Sequence, residues 1–275
     1  MNKVIIAFCE GQHDIALLSK LLFANGFQKY DKKIKDFIKP FDKLFINELS
    51  KKEISDKKLG FESDYRVPSV VLFKEPSTYV FFHNLNGWER VVERLKVLNM
   101  YRELISSEDD HSPKDIEFTF LYFFDADSAG ISSRLDALNS ELSLPLPIEH
   151  NEIKLIDSFK WGCHIFHKSE TEQYGAIEDL LIGMMRINNE DLFNKCEQFI
   201  SAAMLPRERQ CEYLCHTDSY KSDNKFNQQK SIISVAGQLQ FSSMSNAVII
   251  ANSDYIKKTD MAENLHCQRI MSLFD

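Results

Sequence analysis

The chain has 275 residues, 44% hydrophobic and 27% charged, enough for one large domain with a real core or for a core domain with an appendage. Its net charge of −8 argues against a protein that coats nucleic acid through bulk electrostatics, since such domains are basic. No run approaches the roughly 20 apolar residues of a membrane span, and MNKVIIAFCEGQHD turns acidic too early for a secretory signal, so the expectation is a cytoplasmic protein with no membrane contact.

The six cysteines (Cys9, Cys163, Cys196, Cys211, Cys215, Cys267) lack CxxC pairs and are expected to stay reduced, with no disulfide framework. Cys211, Cys215 and His216 are the tightest group, but their segment reads as helical and offers no fourth zinc ligand.

In chain order, KVIIAFC (3–9) is a short, β-branched apolar run that stops at Glu10-Gly11, the pattern of a buried parallel strand reaching its carboxyl end. HDIALLSKLLFANG follows with Ile15, Leu18 and Leu22 on one stripe and Asn25-Gly26 as terminator, an amphipathic helix. Residues 29–58 hold ten lysines against six acids, a net of +4, and read as a solvated insertion or, alternatively, a phosphate-gripping arm. Two strand-like runs, PSVVLFK and STYVFFHNL, lead through Asn86-Gly87 into a helix from Trp88 to about Leu104. The strongest strand is FTFLYFF (118–124), which ends in Asp125-Ala-Asp127-Ser-Ala-Gly130 before a helix through Leu142. Strands alternating with helices predict an α/β fold, a parallel sheet with helices on its faces.

After the prolines at 145 and 147 the spacing predicts a strand at GCHIFHK, a helix at IEDLLIGMMRI, helix over 190–216, a polar loop at 217–224 and helix again at NQQKSIISVAGQLQF. Residues 1–145 are thus expected to form the core, with 146–275 a mainly helical C-terminal extension packed on it. Most of the 21 phenylalanines fall in these strand and helix runs and read as core.

In an open α/β sheet, ligands gather outside the carboxyl ends of the strands, so the polar residues there are the candidates for chemistry. Here they are acids: Glu10 after the first strand, Asp14 one helical turn on, and Asp125 and Asp127 after the strand at 118–124. Two carboxylates of a D-x-D at one strand end repel unless a cation neutralises them, and magnesium takes carboxylates together with substrate phosphates. Any one of these acids could instead cap the helix that follows it.

Glu10-Gly11 after a strand, Asp14, a middle strand leading to Asn86-Gly87, and Asp125-x-Asp127 after the next strand together resemble the Toprim domain of topoisomerases, primases, M5-type ribonucleases and OLD-family nucleases. The resemblance covers about residues 1–145. YGAIEDLLIGMM and FNQQKSIISVAGQLQ further resemble the C-terminal parts of short stand-alone Toprim proteins related to the OLD nucleases. It implies a Toprim-like sheet and a magnesium-dependent nuclease, with manganese a possible substitute, acting on DNA or RNA. Glu178, with Asp179 as competitor, would be a further metal ligand, and Lys230, with Lys225 as alternate, the catalytic cation. Glu10 would be a ligand or a proton carrier.

No G-x-x-x-x-G-K-[ST] occurs, so the ATPase of an OLD-like system would be a separate partner or absent. The resemblance further implies an effector in bacterial antiviral defence, with homo-oligomers possible. Two rivals stand beside it. A haloacid-dehalogenase-type phosphatase also carries D-x-D after a strand, but Ser128 and Ala129 depart from its pattern. A non-catalytic Toprim-fold module could bind nucleic acid or a partner through the same surface.

Overall fold

Unbroken burial along the first strand sets the architecture. In β1 (Asn2–Cys9), Val4, Ile6 and Phe8 point to one side and Ile5, Ala7 and Cys9 to the other, and all six are fully buried. A strand buried on both faces must lie inside a sheet covered by helices on both sides. The computed structural model describes residues 2–50, 66–106, 116–169 and 171–275 of the protein. It shows this arrangement as a seven-stranded sheet, and the fold is α/β.

The elements follow β1 as α1 (Gln12–Ala24), β2 (Gln28–Lys29), α2 (Phe41–Ser50), β3 (Val70–Lys74), β4 (Thr78–Asn84), α3 (Val91–Ser106), β5 (Ile116–Asp125) and α4 (Gly130–Leu142). The chain continues through β6 (Ile153–Ile156), β7 (Phe159–Phe166), α5 (Ile177–Arg186), α6 (Glu190–Ala202), β8 (Cys211–Leu214) and β9 (Ser219–Asn224). It ends in α7 (Gln228–Gln238), α8 (Asn246–Asn252), α9 (Lys258–Glu263) and α10 (Leu265–Ser272). The order across the sheet is β2-β3-β4-β1-β5-β7-β6. The central four strands, β4, β1, β5 and β7, run parallel. The parallel sheet expected from the sequence is thus present at the centre, and the edges add antiparallel strands: β3 and β6 pair antiparallel with β4 and β7, and β2 with β3. The short links at 75–77 and 157–158 are hairpin-length and cannot carry the crossover a parallel pair needs.

One face of the sheet is covered by α2, α3 and α4, with Phe41, Phe45, Tyr101 and Leu138 buried against Phe81, Phe120 and Tyr122. The other is covered by α1 and by α5 to α10, whose Ile177, Leu181, Ile233, Ile249 and Ile270 share one core with Leu17, Leu121 and Phe123. Among the described residues, no helix is long and apolar enough to cross a membrane.

Three expectations change. The lysine-rich stretch is not a purely solvated insertion: α2 lies within it and buries Phe41 and Phe45, leaving its lysines outward, while residues 51–58 lie outside the described residues. The helix expected over 190–216 ends at Ala202, because Pro206 follows and residues 211–224 fold into the hairpin of β8 and β9. Cys211 therefore sits on a strand and Cys215 is exposed in its turn; among the described residues no group of His, Cys, Asp or Glu there could hold zinc. The sheet also runs past residue 145, since β6 and β7 belong to it.

Candidate functional site

Glu10 and Asp125 stand side by side because β1 and β5 are adjacent and parallel, with Cys9 opposite Phe123. The Glu10 amide donates to the Phe123 carbonyl (3.2 Å), and the Asp125 amide donates to Glu10 Oε2 (3.2 Å). Burial pushes the Glu10 carboxyl up; the amides of Asp125 and Trp88 and the Arg134 charge oppose that rise, while Asp127 adds to it. Trp88 is carried there by the Asn86-Gly87 turn, where both residues have positive φ (57° and 124°) and the Gly87 amide donates to the Glu10 carbonyl at 2.9 Å.

Asp14 is the third residue of α1, and its Oδ2 accepts from the Gly11 amide at 2.8 Å, so it does cap its helix. It is also only 3% exposed and faces the other acids: burial first, then the charges of Glu10 and Glu178, push it up to about 8. Asp125 goes further, to about 9, raised by burial and then by Asp14, Glu10 and Glu178.

The second half of the chain completes the crevice. The 168–176 loop is stitched to the D-x-D turn by paired bonds between Asp127 and Gly175 (Asp127 amide to Gly175 carbonyl 2.7 Å, Gly175 amide to Asp127 carbonyl 2.9 Å). Gly175 has φ +114°, and a Cβ there would lie 2.5 Å from Asp179 Oδ2, so glycine is required. This seam aims the amino end of α5 at β5: the Ile177 amide donates to Asp125 Oδ1 at 2.8 Å, where the helix dipole favours negative charge. Glu178, next along, is 2% exposed. Its burial would raise its pKa, but a hydrogen bond from His13 (Nδ1 to Oε1, 2.7 Å) and the charge of Lys230 outweigh that and hold it low.

Between the alternatives left open by the sequence, the structure sets Glu178 and Lys230 together and gives Asp179 and Lys225 other contacts. Lys230 Nζ lies 3.6 Å from Glu178 Oε1 and remains half exposed. Asp179 instead accepts from the Ala176 amide (2.9 Å) as the cap of α5, and from the Gln229 side chain, which ties the start of α7 to that of α5. The Lys225 amide donates to the Gln210 carbonyl, and its side chain lies in a groove beyond Lys230.

Asp127 departs from the cluster. Its backbone is left-handed (φ 48°) and its half-exposed carboxylate pairs with Arg134 at 2.6 Å, one turn into α4. Arg134 in turn lies over the Trp88 ring, 4.6 Å from its centre. His13, Trp88 and Arg134 were not singled out in the sequence, although His13 stands between Glu10 and Asp14 and Arg134 follows Asp127 by seven residues. Among the described residues, no three His, Cys, Asp or Glu side chains are already set to share one ion. The crevice therefore brings Glu10, Asp14, Asp125 and Glu178 together, with the Lys230 and His13 cations or donors on the Glu178 side and Arg134 on the Glu10 side.

No protein-family model matches the chain, and no curated protein matches it. A solved structure does: the crystal structure of a hypothetical protein from Pyrococcus horikoshii OT3 is similar over 100% of this chain and 94% of that one, with a TM-score of 0.55 at 13% identity. That likeness shows a shared α/β fold.

Proposed function

We propose that the chain is a Toprim-type nuclease that hydrolyses nucleic-acid phosphodiesters with a divalent cation. The observation that carries this reading is the gathering of Glu10, Asp14, Asp125 and Glu178 at the carboxyl edge of the central strands, with Asp14 and Asp125 pushed up to about 8 and about 9 by burial and mutual repulsion. Carboxylates crowded together in a cleft without matching cations are the mark of a functional site rather than of a stabilising network.

The donor set is all oxygen and suits a hard cation, magnesium or manganese; Glu10, Asp125 and Glu178 would hold it, with Asp14 against them. Asp127 joins only by leaving Arg134. Once bound, such an ion activates water and neutralises charge on the phosphate. The remaining roles fall to the chain itself. The Ile177 amide and the α5 dipole orient the Asp125 carboxylate. Glu10 has a second role open to it in place of holding the ion: oriented by the Asp125 amide and with its pKa raised by burial, it suits a group that takes and returns a proton. Lys230, half exposed beside a buried partner, is free to turn toward a phosphate oxygen and stabilise developing charge. The setting implied by the resemblance, an antiviral effector working with a separate ATPase, belongs to the same proposal.

A non-catalytic module that binds nucleic acid or a partner is the second reading. The observation favouring it is the engagement of Asp127 by Arg134, which removes one acid of the D-x-D from the crevice. Incubating the purified protein, Glu10→Gln and Asp125→Asn with supercoiled plasmid and with total RNA, in magnesium, manganese or EDTA, separates the two. Metal-dependent cleavage that both variants lose supports the nuclease; absence of cleavage in every condition favours the module.

A further inference from the structure

Beyond Lys230 the surface opens into a groove of about 830 Å³ between α6, the turn at 207–210, β8 and the start of α7. Its floor is apolar: Phe199, Met204 and Leu205 are 62%, 48% and 45% exposed, and Phe226 lies beside them. A contiguous exposed apolar floor of this kind marks a binding surface. Its rim carries three cations, Arg209, Lys225 and Lys230. Glu212 is the single acid among the described residues that line it, and Glu212 is already paired with Lys221 across the hairpin at 2.5 Å. Arg209 and Lys225 form no ion pair among the described residues. In a chain of net charge −8, with 41 acids to 33 lysines and arginines, three cations gathered along one groove, of which Lys230 meets Glu178 and Lys225 feels the charge of Glu212 without pairing with it, call for an anionic occupant.

We propose that this groove binds an unpaired nucleic-acid strand, with phosphates on Arg209, Lys225 and Lys230 and bases laid on Phe199 and its apolar neighbours. The inference rests on the nuclease reading and names its substrate class as single-stranded. Continuity supports it, because Lys230 belongs to both places: it touches Glu178 in the acid crevice and lines the groove. A strand held at the acids thus leaves past Lys230 onto the groove floor. The apolar floor selects against a duplex, whose bases are stacked and paired and offer only phosphates and groove edges, whereas aromatic side chains stack bases of any sequence in a single strand.

The test measures binding apart from cleavage, by fluorescence anisotropy of the full-length protein in EDTA. Probes are a labelled twelve-nucleotide single strand as RNA and as DNA, the matching duplexes, and an abasic strand of equal length. At least one single strand binds about tenfold tighter than its duplex and about tenfold tighter than the abasic strand, the size of one base stacked on an aromatic ring. Arg209→Ala with Lys225→Ala weakens binding and lowers the slope of log affinity against log salt by about 1.4, since a single strand releases about 0.7 counterion per phosphate contact. Phe199→Ala weakens binding about tenfold and leaves that slope unchanged. Circular dichroism checks that these surface variants keep their fold.

Duplex and abasic strands binding as well as the single strand, or variants binding like wild type, would overturn the proposal. So would failure of every oligonucleotide to bind, and concentration-dependent dimerisation abolished by Leu205→Glu would then assign the groove to a second copy of the chain. The two readings fail separately. Strand binding through the groove without cleavage in magnesium keeps the groove and removes the nuclease, whereas cleavage that ignores Arg209, Lys225 and Phe199 keeps the nuclease and removes the groove.

Discussion

Among the described residues, two places that bury charge solve the problem in opposite ways. On one face of the sheet, Arg94 of α3 is 1% exposed and meets Glu141 of α4 through two parallel bonds (2.8 and 2.5 Å), gives a third to the Trp88 carbonyl (2.7 Å), and packs against the edge-to-face pair of Trp88 and Phe124. Every part of that guanidinium has a partner, which is the arrangement that makes a buried pair tolerable. At the carboxyl edge of β1 and β5, four carboxylates share a crevice with Lys230 and His13 on one side and Arg134, already paired with Asp127, on the other, and two of the four are driven far up in pKa. A network built for stability balances its charges; a crevice that leaves them unbalanced needs something from outside.

The largest expected effect separates chemistry from stability. Asp125→Asn lowers the rate of metal-dependent cleavage by about 10³-fold or more, the scale of removing one group that acts on transition-state charge, while the melting temperature without metal at pH 8 stays level or rises. Arg94→Ala behaves in the reverse way: chemical denaturation shows a loss of about 3–5 kcal/mol, because Glu141 is left buried and alone. Equal destabilisation by both variants would erase the contrast.

The pH dependence of the metal-free protein comes next. Folded Asp14 and Asp125 titrate near 8 and 9 against 3.8 when unfolded, so between these values the folded state keeps protons the unfolded state has released. Their contribution is therefore present at low pH and lost as pH rises toward the folded values. Urea unfolding in EDTA is expected to show this fall, and Asp125→Asn to remove about half of it. A smaller loss, about 1–3 kcal/mol, follows Gly175→Ala, which forces a side chain into left-handed backbone against Asp179. The smallest is His13→Ala: without its hydrogen bond Glu178 titrates higher, so the acid limb of the cleavage profile moves to higher pH, read from rates between pH 5 and 9.

What was legible in the sequence divides along the same line. Strands buried on both faces announce themselves as unbroken apolar runs, so β1, β5 and their terminal acids could be placed from composition alone. The edge strands could not be oriented, because pairing direction depends on link length rather than on strand residues. The hairpin of β8 and β9 was hidden because CEYLCHTDSYKSDN has neither strand alternation nor an Asn-Gly turn, and most of it stays exposed. The three helices after residue 245 were covered only by the general expectation of a mainly helical extension, being too short to show a periodic stripe; Ser245 caps α8 and Asn264 caps α10. For the site, strand-end position identified Glu10 and Asp125. Which of Glu178 and Asp179 faces the acids was decided by the seam between Asp127 and Gly175, a contact 48 residues apart in sequence. Asp127 is drawn aside by a local contact instead, since Arg134, seven residues on, meets it once the first turn of α4 has formed.

The central claim is that the crowded carboxylates take a divalent cation, and titration calorimetry of magnesium into the metal-free protein at pH 8, in two buffers of different ionisation enthalpy, tests it most directly. The account predicts binding accompanied by net proton release, because Asp14 and Asp125 hold protons a cation displaces, and loss of that heat in Asp125→Asn. An absence of binding heat, or heat and proton release unchanged in Asp125→Asn, would contradict it.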